Sequence, residues 1–305
     1  MGRLLAAVVV LSGCSFGDSN SSDDQVRRPD ASKMVDAGPT VPPLLAFSSN
    51  RNGLYEVFTA NPDGSAVTRL GSGGQPAWSS DGRKLAFADG GIIYTMNRNG
   101  SSRTALYAGA DPQWSPDGTH LLFTNDDGIV TATASVGAVP TMVVLHDVCM
   151  VNGEGMCATP RFSADGTQIT YVVANLTNPL KVQVATSTGA NPHDLLAPTT
   201  NWSDSPTWTL SGSGVVYNAL AANGAVDVVR VNSDGSGAVT LVNGFDISVP
   251  AIAPNGQDVA YQYSASSTSL ARIWIKPATG AAHQLIPDVA GTYEDVELAW
   301  TAGVP

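Results

Sequence analysis

From Leu44 onward the chain is written as short apolar runs separated by polar breaks that carry Gly with Asp, Asn or Ser. One run recurs as a triplet that ends in an aromatic: Leu45-Ala46-Phe47, Leu85-Ala86-Phe87, Leu121-Leu122-Phe123, Ile169-Thr170-Tyr171, Val215-Val216-Tyr217 and Val259-Ala260-Tyr261. Successive copies lie 40, 36, 48, 46 and 44 residues apart. A period of that size fits one four-stranded sheet of a propeller, so six copies predict an all-β, six-bladed β-propeller.

Each unit reads strand by strand. A first strand places an aromatic or apolar residue two positions after a proline, at Trp78, Trp114, Phe162, Trp208 and Ile252. A turn follows at Asp81-Gly82, Asp117-Gly118, Asp165-Gly166, Ser211-Gly212 and Asn255-Gly256, where a short polar side chain caps and Gly supplies a positive φ. The triplet is the second strand. Segments such as "LYEVF" (54–58), "IIYTM" (92–96) and "RIWIK" (272–276) form the third, and a further Gly turn leads to a short fourth. The predicted blades span 44–70 together with 295–301, then 76–108, 112–146, 160–198, 206–242 and 250–286. The first copy lacks a leading strand, and "DVELAWT" (295–301) supplies one, with Trp300 in the aromatic place. The C-terminal strand is therefore expected to pair into the N-terminal blade and close the ring without an open edge.

The repeated Pro-x-Trp-Ser-x-Asp-Gly, followed by an apolar-aromatic strand, resembles the C-terminal propeller of TolB and its WD40-like Pro-Asp repeat relatives. The resemblance covers about residues 44–301. It implies a non-enzymatic binding role in the bacterial envelope, which for TolB means binding a peptidoglycan-associated lipoprotein and a colicin. The α/β domain that precedes the TolB propeller has no counterpart here, so the chain is expected to be a TolB-like lipoprotein and not TolB itself.

The N-terminal region differs in texture. Arg3, the apolar run "LLAAVVV" (4–10) and Leu11-Ser12-Gly13-Cys14 read as a lipoprotein signal peptide over 1–13, with Cys14 as the acylated residue. More than one acyl chain would anchor it stably. Ser15 after the cysteine leans, by family analogy, towards the outer membrane. Residues 14–43, rich in Ser, Asp and Pro, read as the lipidated cysteine and a disordered tether.

Charge and chemistry then narrow the function. Charged residues make up 13% of the chain and the formal net charge is −11, which argues against nucleic acid or an anionic lipid surface as a partner. The only membrane contact expected is the lipid anchor, and a monomer is expected. His120, His146, His193 and His283 fall in different repeats at no ligand spacing, so neither a metal site nor a catalytic residue nor a cofactor is predicted. Neither G-x-S-x-G nor a phosphate-cradling G-x-x-x-x-G-K occurs.

Two features stand above scaffold. Cys149 and Cys157, the cysteines besides Cys14, bracket an insertion between blades three and four; an oxidising compartment would pair them, worth roughly 2–3 kcal/mol. The residue before each proline (Gln75, Asp111, Thr159, Ser205 and Val249, with Glu297 as the sixth) should ring one mouth of the axial channel, where a basic peptide segment or a cation could bind. The plainer reading, and the favoured one for these positions, is solvated loop residues around a water-filled hole. The favoured reading is a membrane-tethered, non-enzymatic module that binds an envelope protein or peptide. The alternatives are a cell-wall glycan binder, which needs Trp202 or Trp274 exposed, and a polysaccharide-lyase-like enzyme at the channel mouth.

Overall fold

The structure is a computed structural model that describes residues 42–145, 156–175, 178–195, 203–209, 211–221, 223–244, 247–253, 255–264, 270–286 and 293–301. Its first blade holds Leu44–Ser49 (β1), Glu56–Ala60 (β2) and Thr68–Ser72 (β3). The second holds Gly74–Trp78 (β4), Lys84–Asp89 (β5), Ile92–Asn97 (β6) and Thr104–Ala108 (β7). Next come Ala110–Trp114 (β8), His120–Asn125 (β9), Gly128–Thr133 (β10) and Thr141–Leu145 (β11). The fourth blade is Met156–Phe162 (β12), Gln168–Asn175 (β13), Asn178–Thr186 (β14) and His193–Asp194 (β15). Ser203–Trp208 (β16), Gly214–Leu220 (β17), Val226–Asn232 (β18) and Val239–Val242 (β19) make the fifth. The sixth is Ile247–Ile252 (β20), Val259–Tyr263 (β21), Arg272–Lys276 (β22) and His283–Gln284 (β23), after which Asp295–Thr301 (β24) returns to the first.

These strands form six antiparallel four-stranded sheets, and the expected closure is present: one sheet runs β24-β1-β2-β3. In that seam Leu45 lies opposite Trp300 and Ser49 opposite Asp295. Among the described residues no helix is long and apolar enough to cross a membrane.

The Leu-Ala-Phe pattern is explained by how the sheets stack. A second strand is covered on both faces, which is why it reads as a continuous apolar run. Its aromatic packs on the preceding blade: Phe87 lies with Ala46 and Val57 of the first sheet, and Tyr217 with Val182 and Val184 of the fourth. The middle residue of the triplet faces the next blade, as Ala86 does towards Trp114 and Phe123. Six such clusters result, one at each junction between neighbouring sheets. Where the sixth blade meets the first, Leu45, Phe47 and Leu298 pack on Ala260, Ile273 and Ile275, so this junction is packed like the other five.

The predicted hairpin turns are built from side-chain chemistry. Ser79 Oγ donates to Asp81 Oδ1 at 2.6 Å and accepts from the Lys84 amide at 2.9 Å, while the Gly82 amide donates to the Ser79 carbonyl at 2.8 Å. Ser115–Asp117 and Ser163–Asp165 repeat this arrangement. The first strands differ from expectation in where they start. β4 and β8 begin two residues before their prolines, and β12, β16 and β20 begin three or four before, so the pre-proline residues lie inside strands and not in loops.

Candidate functional site

The six inner strands are irregular at one shared position. Each ladder to the second strand shifts register around the pre-proline residue, as between Gly74 and Ala77 or between Ala110 and Gln113. The residue at the shift is left-handed in every blade: Gln75 (φ 54°), Asp111 (52°), Thr159 (49°), Ser205 (51°), Val249 (47°) and Glu297 (49°). The conformation does not depend on the proline, because Leu298 follows Glu297. A non-Gly residue pays roughly 1–2 kcal/mol to sit there, and a β-branched one such as Val249 is a real outlier. Six repetitions of the same strain mark a shared structural demand.

All six side chains line one axial cavity of about 610 Å³. Three of them are joined by a relay that runs from blade to blade. Glu297 Oε2 accepts from Ser48 Oγ at 2.7 Å and from the Gln75 backbone amide at 2.8 Å. Gln75 Oε1 accepts from the Asp111 amide at 3.0 Å, and its Nε2 donates to Asp111 Oδ1 at 2.7 Å. Asp111 Oδ2 then accepts from the Thr159 amide at 3.3 Å. Each side chain thereby satisfies the backbone donor of the next left-handed residue. Among the described residues Thr159 Oγ1 is buried with no hydrogen-bond partner and does not extend the relay.

One channel residue was not singled out from the sequence. Arg161 occupies the place between proline and aromatic, where the other blades have Ala77, Gln113, Thr207, Ala251 and Ala299. Its side chain lines the cavity, and its Nη1 donates to the Pro160 carbonyl at 2.9 Å. Burial pushes its pKa below the usual guanidinium value, while Asp111 and Glu297 act in the opposite direction. Its carbonyl accepts from Trp208 Nε1 at 3.0 Å. A column-by-column reading of the repeat would have found it, as a charged residue in a column of small or uncharged ones.

The other candidates are dispersed. Cys14 and Cys149 lie outside the described residues; Cys157 is buried in β12 and is not free. His120 bonds Thr119 Oγ1 at 2.7 Å, and His193 Nε2 lies 2.9 Å from the Ser233 carbonyl. His283 sits in β23, and His146 is outside the described residues. Among the described residues no group of three His, Cys, Asp or Glu side chains could hold a metal. Trp274 packs edge-on against Tyr263 with centroids 5.5 Å apart, and Trp202 is outside the described residues.

This geometry defines a closed six-bladed propeller with a cavity lined in part by the acidic side chains of Asp111 and Glu297. Neither a protein-family model nor a curated protein matches the chain. Solved structures do, and the fold is that of TolB-like propellers. TolB from Acinetobacter baumannii superposes with a TM-score of 0.68 at 19% identity, covering 85% of this chain and 66% of that one. A putative TolB from Agrobacterium tumefaciens gives 0.62 at 15% identity, covering 87% and 100%. An oligogalacturonate lyase in complex with manganese gives 0.57 at 12% identity, covering 80% and 73%. The chain thus spans slightly less than two thirds of the Acinetobacter protein, and at these identities the likeness is one of fold.

Proposed function

We propose that the chain is a lipid-anchored, non-enzymatic binding protein of the bacterial cell envelope that takes a protein or peptide segment at the channel mouth. The observation that carries this reading is the ring of six left-handed residues around a 610 Å³ cavity, half of it pre-ordered by the Glu297–Gln75–Asp111 relay. A ring held by its own hydrogen bonds presents polar groups without paying to order them on binding. Cys14 carries the acyl chains, residues 14–43 supply reach, the outer membrane is the destination, and Cys149 pairs with Cys157 to staple the insertion before β12. The TolB-like neighbours support a binding role.

The experiment is affinity capture with covalent cross-linking from envelope extracts, comparing the native chain with Val249→Arg, which crowds the mouth from a ring position outside the relay. A discrete protein should be recovered by the first and lost by the second. Recovery indifferent to Val249→Arg would overturn the reading. In parallel, Cys14→Ser should move the protein from the membrane pellet to the soluble fraction.

A second reading is supported by the oligogalacturonate lyase likeness: an enzyme that acts on acidic polysaccharide at the same mouth. Turnover of an envelope glycan or oligogalacturonate by the purified chain would establish it in place of the first.

A further inference from the structure

We propose that the channel wall formed by β12 carries a carboxylate-binding subsite, in which Arg161 and the Thr159 hydroxyl engage a single carboxylate of the bound peptide segment. This rests on the channel mouth being the binding site.

Arg161 and Thr159 are two residues apart on one strand, and both line the cavity. A guanidinium has five N–H donors in a planar fork that matches a carboxylate. Only one of them is used, by the Pro160 carbonyl, and no carboxylate lies within 4.0 Å of Arg161 among the described ion pairs. Thr159 adds a buried hydroxyl that has no partner among the described residues. Among the described residues, one wall of the cavity thus carries a guanidinium with four unused donors beside a hydroxyl without a partner.

The plain alternative is that Arg161 merely neutralises the acidic ring. The hydrogen bonds argue against it. Asp111 is held through both carboxylate oxygens, by Gln75 Nε2 and by the Thr159 amide. Glu297, three blades from Arg161 around the ring, is held by Ser48 Oγ and the Gln75 amide. Neither closes to an ion pair with the guanidinium. Nor does the repeat need a cation in this column, since the other five blades fill it with Ala, Gln or Thr. Desolvating a guanidinium that makes no ion pair is costly, and the longer-range attraction of Asp111 and Glu297 does not offset the burial.

The same surroundings select the ligand. Asp111 and Glu297 border the cavity and the chain carries a net charge of −11, so a ligand with an anion on every unit is repelled. One carboxylate on an otherwise neutral or basic peptide fits both walls. It is either an acidic side chain or a chain terminus.

Trp208 supplies the reporter, because its indole N–H donates to the Arg161 carbonyl. In protein labelled with 15N-tryptophan, the probes are sodium acetate against sodium chloride, tetra-alanine with a free C-terminus against its C-terminal amide, N-acetyl-aspartyl-trialanine amide, and trigalacturonate. The Trp208 indole resonance should shift saturably with acetate and with at least one of the two carboxylate peptides, but not with chloride or tetra-alanine amide. Which peptide responds identifies the carboxylate as terminal or side-chain. Arg161→Gln should weaken the response about tenfold to a hundredfold, as expected for charge-assisted hydrogen bonds, and Arg161→Lys should retain part of it. Thr159→Val should weaken it about threefold. Should Arg161→Gln not fold, the comparison between peptide acid and amide on the native chain decides alone.

The proposal is overturned if acid and amide act alike, if Arg161→Gln responds as the native chain does, or if trigalacturonate saturates where neither carboxylate peptide does. If Arg161→Gln still captures the envelope partner as the native chain does, the subsite is wrong while the channel reading stands. If Val249→Arg leaves capture intact, the channel reading itself has failed.

Discussion

Glu297 shows how much a single side chain does in this ring. It occupies a left-handed position that costs energy, and its carboxylate accepts from Ser48 on the neighbouring strand and from Gln75 on the next blade. Removing it strands a half-buried amide and a buried hydroxyl. Glu297→Ala should therefore cost about 1.5–3 kcal/mol in denaturant unfolding. Glu297→Gln keeps one acceptor oxygen and should cost less than half as much. Negligible loss in Glu297→Ala would mean that the relay contributes nothing. Val249 is the converse case, a β-branched residue at φ 47° with a side chain that cannot join the relay. Val249→Asn should raise stability by about 1 kcal/mol, because Asn tolerates that conformation.

At the scale of elements, the Ser-x-Asp-Gly hairpins carry an acid limit. Asp117 is held down to about 2 by the Ser115 hydroxyl, then by the Thr119 amide and the Thr119 hydroxyl. Asp165 is lowered by the corresponding groups, and Asp81 is lowered against its partial burial. A carboxylate whose pKa is depressed by folding stabilises the native state above its unfolded pKa, and that contribution is lost as pH falls through the folded value. Stability should thus be level from neutrality down to about pH 4 and fall between there and about pH 2. In Asp117→Asn the fall across that window should be shallower, measured by urea unfolding at a series of pH values. A tight approach elsewhere is set by Gly64, where an added Cβ would lie 1.8 Å from the Leu285 carbonyl oxygen of the neighbouring blade. These elements were readable from the sequence because their causes are local: a Ser or Asp side chain bonding its own turn, Gly supplying the φ, and an apolar run covered on both faces. The beginnings of the inner strands were not. Their left-handed residues have no common identity (Gln, Asp, Thr, Ser, Val and Glu), since the conformation is imposed by the bulge against the second strand. Arg161 escaped for a related reason: its column is defined only by comparison between blades.

For the whole molecule, everything depends on a seam whose two sides lie almost the full chain apart, and Arg51 concentrates the seam's polar chemistry. Its Nη2 donates to Asp295 Oδ1 at 2.7 Å, where the Asp295 side chain is 2% exposed and that of Arg51 18%. The same guanidinium lies over Phe58 and Tyr293, 4.6 and 4.9 Å from the ring centroids, and Arg272 covers Tyr293 at 4.4 Å. Around this knot the Asn50 amide donates to the Glu294 carbonyl, and the Tyr55 hydroxyl donates to Glu294 Oε2 at 2.8 Å. The ring closed in the sequence reading because a strand was missing at one end and spare at the other. The ion pair that locks it could not be read, since nothing local ties residue 51 to residue 295. Arg51→Met preserves stem volume but leaves the Asp295 carboxylate buried and unpaired, which should cost about 3–5 kcal/mol. Adding Asp295→Asn should recover much of that loss, because the stranded charge is gone. If the seam is where the ring opens first, amide exchange in β1 and β24 of Arg51→Met should accelerate well ahead of exchange in β13, the second strand of the fourth blade on the opposite side of the ring. Uniform acceleration across all six sheets would instead mean that the propeller opens cooperatively and that Arg51 is one contact among many.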